Sequence, residues 1–280
     1  MENPESSKPI LVLCGTGKTG SRIVQRLQKR NIPVRVGSRS AQPAFDWQVQ
    51  TTWEGALAGV SAVYISYYPD LAVPGAVEAI RLFAELALSK GVSRLVLLSG
   101  RGEEEAQLAE ETIKNSGADW TILRASWFAQ NFSESFLLDA VLSGTVALPV
   151  GEIGEPFIDA GDIADVAVAA LTQEGHSGEL YELTGPRLMT FRQAVAEVAQ
   201  ARGEPVDFVQ ITPDQYSDAL KQAFIPMDVI GLVMYLFTTV LDGRNAHVSD
   251  GVERALGRPP RDFTAYAKDT AASAVWSTQK

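Results

Sequence analysis

The sequence is poor in the residues that build disulfides and metal sites. It holds one cysteine, Cys14, and two histidines, His176 and His247. A single thiol excludes an internal disulfide framework and fits a reducing compartment. Two separated histidines with no partner at ligand spacing argue against a zinc centre. Cations are also scarce: 24 Lys and Arg stand against 34 Asp and Glu, a net charge of −10. Nucleic-acid contacts need clustered Lys and Arg, so that balance argues against such a partner. The longest apolar-rich run, Val229 to Leu241, is too short to cross a bilayer and reads as a packed helix. The opening MENPESSKP is polar and lacks the apolar core of a signal peptide. No G-x-S-x-G elbow is present to support a Ser-His-Asp hydrolase. The expectation is a cytoplasmic-type protein that handles a small molecule, with no nucleic-acid, membrane or metal partner.

What is present is a chain of 280 residues, 46% apolar and 21% charged, long enough to bury a large core. Its cations are unevenly placed. Residues 1–40 carry eight of them against two acids, and the rest of the chain carries 16 against 32. An anionic small ligand would find its positive field in that first segment. Arg26, Lys29 and Arg30 are read as a solvated helix face.

Short β-branched runs alternate with helical patterns in the first half. Strands are expected at Ile10–Leu13, Val34–Gly37, Ala62–Ser66, Arg94–Leu98 and Trp120–Leu123. Helices are expected from Thr19 to Arg30, Val73 to Ser89 and Glu103 to Asn115, the last two stopped by Gly91 and Gly117. Such alternation means right-handed crossovers and a parallel sheet covered on both faces. Beyond residue 124 the pattern predicts helices at 132–142, 162–171 and 191–201, and strands at 146–149, 156–159, 180–183 and 206–211. Gly-Arg-Pro-Pro at 257–260 breaks two late helices. The fold class is α/β: a doubly wound parallel Rossmann sheet with a small, mainly helical C-terminal substrate lobe. Residues 1–150 are assigned to the dinucleotide-binding domain. Residues 151–280 are assigned to the lobe, with segments returning to the main sheet.

Two phosphate-binding devices overlap in Cys14-Gly15-Thr16-Gly17-Lys18-Thr19-Gly20. Gly17-Lys18-Thr19 is the tail of a P-loop, but the first glycine of that motif would fall on Val12, inside the strand, so the spacing fails. Gly15, Gly17 and Gly20 instead give the G-x-G-x-x-G of a dinucleotide turn, with a strand before it and a helix after it. The segment from Gly15 through Thr16, Gly17, Lys18 and Thr19 to Gly20 is therefore the candidate pyrophosphate site, at a helix N-terminus that favours anions.

An NAD site would show an acid near the end of the second strand. Here that strand ends Gly37-Ser38-Arg39-Ser40. A guanidinium between two hydroxyls suits a 2′-phosphate, so the reading is NADP(H).

These residues, with "SGADWTILRASWFAQNF" (116–132), "FIDAGDIADVAVAAL" (157–171) and "YELTGPRLMTF" (181–191), resemble NmrA-like proteins of the atypical short-chain dehydrogenase/reductase superfamily. The resemblance spans nearly the whole chain. It implies a Rossmann domain, a small C-terminal lobe and a substrate cleft between them. Relatives include quinone oxidoreductases, clavine-type reductases and non-enzymatic dinucleotide sensors. It further implies that Asp46 and Trp47 lie near the adenine, and that Trp127, Phe128 and Asn131 face the substrate.

Two features depart from that family. Many members carry a glycine where Cys14 stands; the thiol is read as a small buried side chain rather than a reactive one. The superfamily's Tyr-x-x-x-Lys pair is also missing, since the resemblance puts Glu103 at the Tyr position and Gln107 at the Lys position. Glu103 is expected to be ionised in its acidic run, and Gln107 carries no charge. Ser99 matches the carbonyl-polarising serine, and Tyr67 and Tyr68 are the other catalytic candidates, with apolar walling as their alternative role. Asp159, Asp162 and Asp165 raise the question of a metal, but Asp162 reads as the N-cap of a helix from Ile163. The expected function is NADPH-dependent hydride transfer to a small apolar electrophile such as a quinone, iminium or conjugated compound. The alternative is a non-catalytic NADP(H)-binding redox sensor. Homo-oligomers or a regulatory protein are the partner classes left open.

Overall fold

The computed structural model describes residues 8–277; most of the polar opening segment falls outside the described residues. The elements in chain order are β1 (Ile10–Leu13), α1 (Lys18–Lys29), β2 (Val34–Gly37), α2 (Trp53–Leu57), β3 (Ala62–Ile65), α3 (Ala76–Ser89), β4 (Arg94–Gly100), α4 (Glu104–Lys114) and β5 (Asp119–Ala125). They continue as α5 (Leu138–Ser143), β6 (Thr145–Leu148), α6 (Ala160–Thr172), β7 (Glu179–Leu183), α7 (Phe191–Arg202), β8 (Asp207–Gln210), α8 (Pro213–Gln222), α9 (Met227–Tyr235), α10 (Gly251–Leu256) and α11 (Phe263–Ala272). No helix among the described residues is long and apolar enough to cross a membrane.

The chain divides into two compact units. The first runs to residue 125 and adds 160–183 and 250–258. Its six strands are ordered β2-β1-β3-β4-β5-β7, every neighbouring pair parallel. All four residues of β1 and of β3 are buried, as expected of parallel strands covered on both faces. Ile80, Phe83, Ala84 and Ala87 form the helical stripe by which α3 enters the core. The chain leaves β1 toward one edge and continues from β3 toward the other. The carboxyl ends of β1 and β3 therefore flank a topological switch point, where α/β sheets bind ligands.

The second unit contains 126–159, 184–249 and the chain from 259 onward. It has a two-stranded parallel sheet, β6 with β8, and an aromatic core of Phe132, Phe157, Phe191, Phe237, Phe263 and Trp276. Thr190 and Thr212 each cap a helix by a reciprocal capping box, with Gln193 and Gln215.

A division at residue 150 does not describe this grouping. The main sheet needs α6 and β7, because β7 pairs with β5 from Thr121↔Glu179 to Ala125↔Leu183. Phe132, Val141, Val146, Leu148 and Val150 instead pack in the second unit's core. The first-half strands expected from sequence are present, and β4 and β5 run farther than expected, which places Ser99 inside a strand.

Three local expectations are corrected. The helix predicted over 132–142 is a short 3₁₀ turn, Ala129–Phe132, followed by α5. The Phe132 carbonyl accepts from the Trp276 indole at 2.9 Å and Ser133 Oγ bonds the Tyr266 hydroxyl at 2.8 Å, so distant residues hold this corner open. The strand predicted over 156–159 is replaced by two isolated bridges, Phe128 with Ile158 and Glu155 with Met189. Its two ends pair with different segments, which precludes one ladder. Finally, α6 starts at Ala160, which puts Asp162 within its first turn rather than at its cap.

Candidate functional site

The glycine turn is built by close approach. Cys14 takes φ 51°, a left-handed conformation uncommon for a residue with a side chain, which explains the glycine found there in many related turns. The Gly17 N–H donates to the Cys14 carbonyl at 2.8 Å, and the Gly15 N–H donates to Gly37 at 3.3 Å. A Cβ on Gly20 would lie 2.2 Å from the Cys14 carbonyl oxygen, so only glycine lets α1 rest on the turn. Thr16 and Gly17 are exposed, and the first turn of α1 contains no acid. The N–H groups of a first turn lack intrahelical partners, so this end suits an anion. Thr19 is buried with its hydroxyl accepting from Tyr64 at 3.0 Å, which leaves it poorly placed for the metal of a P-loop.

Arg26 is not a solvated side chain. Its Nε donates to Asp165 at 2.5 Å and its Nη2 to the Gly161 carbonyl at 3.3 Å, locking α1 onto α6. Arg258 donates to both Asp162 and Asp165, at 2.7 and 2.6 Å. These acids thus face guanidinium groups, and no three His, Cys, Asp or Glu side chains among the described residues converge as a metal site.

Beyond β2, the Ser38 carbonyl accepts from the N–H groups of Ala41 and Phe45, closing a loop that carries exposed Arg39 and Ser40. The Ser38 and Ser40 hydroxyls are 3.4 Å apart. Asp46 accepts the Gln48 N–H at 2.9 Å in a local turn. Trp47 is buried among Phe45, Trp53, Tyr67 and Phe83, and its indole donates to the Ser66 carbonyl at 2.9 Å. The structure gives Trp47 a packing role. Cys14 Sγ donates to that same carbonyl at 3.3 Å, and burial pushes the thiol's pKa up, away from a reactive thiolate.

The carboxyl ends of β3 and β4 hold a different arrangement. Ser99 is buried and donates its hydroxyl to Glu110 Oε1 at 2.7 Å. Glu110, fully buried on α4, also receives Arg124, which in turn reaches Glu182 at 3.1 Å. The Ser99 proton is therefore committed within a charged network. Tyr67 is half-buried beside Trp47 at 4.9 Å between ring centroids, and burial raises its pKa. Tyr68 is 67% exposed.

Glu103 overturns its sequence expectation. It is buried, and its carboxyl lies against Gly100, where a Cβ would meet Oε1 at 2.1 Å. The Asp70 carboxyl lies close enough to act on it electrostatically. Burial, then the Asp70 charge, raises the Glu103 pKa well above the carboxylate range. Burial likewise raises that of Asp70, which also accepts the Ala72 N–H at 2.9 Å. Gln107 is exposed. Asp70, Glu110 and Arg124 escaped the sequence reading; a lone cation inside the apolar strand WTILRA was the available signal.

In the second unit, Trp127 packs on Phe237 at 4.9 Å and on Phe191 at 5.4 Å. Phe128 bridges to Ile158, and Asn131 lies on the 3₁₀ turn. The three stand together, with each only partly buried.

Comparison with known proteins agrees with this geometry. Residues 15–174 match the family described as NAD(P)H-binding. The chain is 30% identical to the prestalk A differentiation protein A of Dictyostelium discoideum, covering 93% of this chain and 92% of that one. It is 31% identical to the NAD(P)H azoreductase of Xenophilus azovorans, with 94% and 98% covered. Its fold matches the NADPH complex of an NADPH-dependent quinone oxidoreductase from Escherichia coli at a TM-score of 0.78 and 20% identity, covering 93% of this chain and 99% of that chain. The fold also matches that of an NmrA structure at a TM-score of 0.69 and 14% identity, and the chain belongs to the family described as NAD(P)H-binding.

Proposed function

We propose that the protein is an NADPH-dependent oxidoreductase that delivers hydride to a small apolar electrophile, such as a quinone, an iminium ion or a conjugated system. The observation that carries this reading is the loop after β2. Ser38, Arg39 and Ser40 stand beside the glycine turn, and no acid occurs between Gly37 and Phe45. A 2′-phosphate would be held bidentately there, while a bare ribose would find no carboxylate acceptor. The pyrophosphate is assigned to Gly15 through Gly20, which the exposed, acid-free start of α1 fits.

When bound, the dinucleotide supplies the hydride. The chain supplies binding and orientation. An acceptor needing little proton assistance is supported by the loss of the Tyr-x-x-x-Lys pair, with Glu103 and Gln107 in its place. A relative named NAD(P)H azoreductase supports an acceptor outside the alcohol–ketone class. Trp127, Phe128 and Asn131 are the proposed substrate contacts. The missing pair also favours the competing reading, a redox sensor that binds NADP(H) without turnover and signals through a protein partner.

NADPH oxidation, followed across quinones, azo compounds and iminium ions, separates the two. The reductase reading expects consumption with at least one acceptor, and faster with NADPH than NADH. No consumption with any acceptor, together with equal affinity for oxidised and reduced cofactor, would establish the sensor instead.

A further inference from the structure

We propose that Trp47 is a positioning residue for the cofactor's 2′-phosphate, acting through a carbonyl anchor that the loop after β2 shares with the glycine turn. The inference rests on the assignment of that phosphate to Ser38, Arg39 and Ser40. Ser66 lies one residue past β3, where the ladders to β1 and β4 have ended. Its carbonyl accepts two side-chain donors. Trp47 Nε1 reaches it at 2.9 Å from the loop after β2, and Cys14 Sγ at 3.3 Å from the turn after β1. The loops after β1, β2 and β3 therefore meet on one backbone oxygen, at the switch point of the sheet.

The rest of the loop is held to the same standard. Trp47 is buried among Phe45, Trp53 and Phe83, with ring centroids 5.0, 5.6 and 5.2 Å away. An indole N–H so buried needs an acceptor, and the Ser66 carbonyl supplies it. Trp53 repeats the device one residue earlier in the loop: its Nε1 donates to the Asp46 carbonyl at 2.9 Å. The Asp46 N–H in turn donates to Thr52 Oγ1 at 3.0 Å. Near β2, the Ser38 carbonyl accepts the N–H groups of Ala41 and Phe45 at 3.2 and 2.9 Å. Arg39 and Ser40 stand exposed between these fixed points.

A guanidinium grips phosphate through a planar fork, so the reach and angle of its backbone matter. A loop fixed before the ligand arrives loses less ordering entropy when it binds. The pyrophosphate subsite and the 2′-phosphate subsite are also held at a set separation, because both loops end on the Ser66 oxygen. A ribose without the 2′-phosphate makes no demand on Arg39. Discrimination between the phosphorylated and unphosphorylated dinucleotide thus depends on a tryptophan whose bond is to protein, not to cofactor.

The test uses the full chain and two ligands that lack a nicotinamide, 2′,5′-ADP and 5′-AMP, with affinities measured by calorimetry. Trp47→Phe keeps a ring in the cluster and removes the donor. It should bind 2′,5′-ADP roughly 10-fold more weakly, the worth of one net hydrogen bond, and 5′-AMP as wild type does. In an Arg39→Asp background the same substitution should change 2′,5′-ADP affinity by less than about twofold, because it acts through Arg39. Hydrogen exchange on ligand-free wild type gives a reading that needs no variant to fold. The amides of Ala41, Phe45 and Asp46 should be protected before 2′,5′-ADP is added. Wild-type 2′,5′-ADP affinity in Trp47→Phe, or equal losses for both ligands in the folded variant, overturns the positioning role. So do loop amides that gain protection only with ligand. An Arg39→Asp protein that keeps full 2′,5′-ADP affinity overturns the 2′-phosphate assignment itself, and the positioning role falls with it.

Discussion

The turn after β1 and the corner after β4 both stand at the carboxyl edge of one sheet, yet they are made in opposite ways. The first is backbone: Gly20 against the Cys14 carbonyl, N–H groups at the start of α1, and side chains kept out of the way. The second is side chain: Ser99 on Glu110, Glu110 on Arg124, Arg124 on Glu182, and Glu103 near Asp70. A site made of backbone tolerates few substitutions and gains little from charge. A site made of buried charge depends on which groups hold protons, and pH is its control variable.

That contrast can be broken by substitution and by pH. The largest effect is expected from Gly20→Ala. Its Cβ would sit 2.2 Å from a backbone oxygen that cannot rotate away, so overpacking should cost about 3 kcal/mol and abolish cofactor binding. Urea denaturation and cofactor titration check both. Next, Arg39→Asp should weaken NADPH binding about 100-fold, the magnitude of a lost charge-assisted phosphate contact, with NADH nearly unaffected. Equal losses for both would remove the 2′-phosphate assignment.

Smaller effects concern stability against pH. The raised pKa of Glu103 means the native state holds more protons than the unfolded chain above about pH 4. The pair's contribution is full below that pH and is lost as pH rises through its folded titration. Glu103→Gln should flatten this decline in urea midpoints. His176 acts with the reverse sign. Burial lowers its pKa, and it shares a 2.9 Å hydrogen bond with Tyr181, so its stability is present above about pH 6.5 and lost as pH falls below it. His176→Gln should remove that acid-side loss. The smallest change is expected for Cys14→Gly, which relieves a left-handed backbone but gives up a thiol contact. Stability should rise by no more than about 1 kcal/mol, with cofactor binding retained.

The same contrast explains what could be read from sequence. Backbone requirements leave spaced glycines, so Gly15, Gly17 and Gly20 announced the turn, and continuous apolar runs announced β1, β3 and β4. The corner after β4 leaves no such trace. Glu103 reads as one of several adjacent acids until it is buried near Asp70, 33 residues earlier, and only then does its pKa rise. Arg26 looked solvated because its partner Asp165 lies 139 residues away on α6. The corner at Phe132 failed as a helix for the same reason, with Trp276 taking its carbonyl from near the end of the chain. Local pattern predicts what local sterics enforce, and long-range pairing of polar groups lies outside it.

A crystal structure with NADP⁺ bound gives the most direct test, because it reads the glycine turn and the loop after β2 at once. The account predicts the pyrophosphate on Gly15 through Lys18 and the 2′-phosphate on Ser38, Arg39 and Ser40. A 2′-phosphate turned into solvent away from Arg39, or a pyrophosphate bound away from the glycine turn, would contradict it.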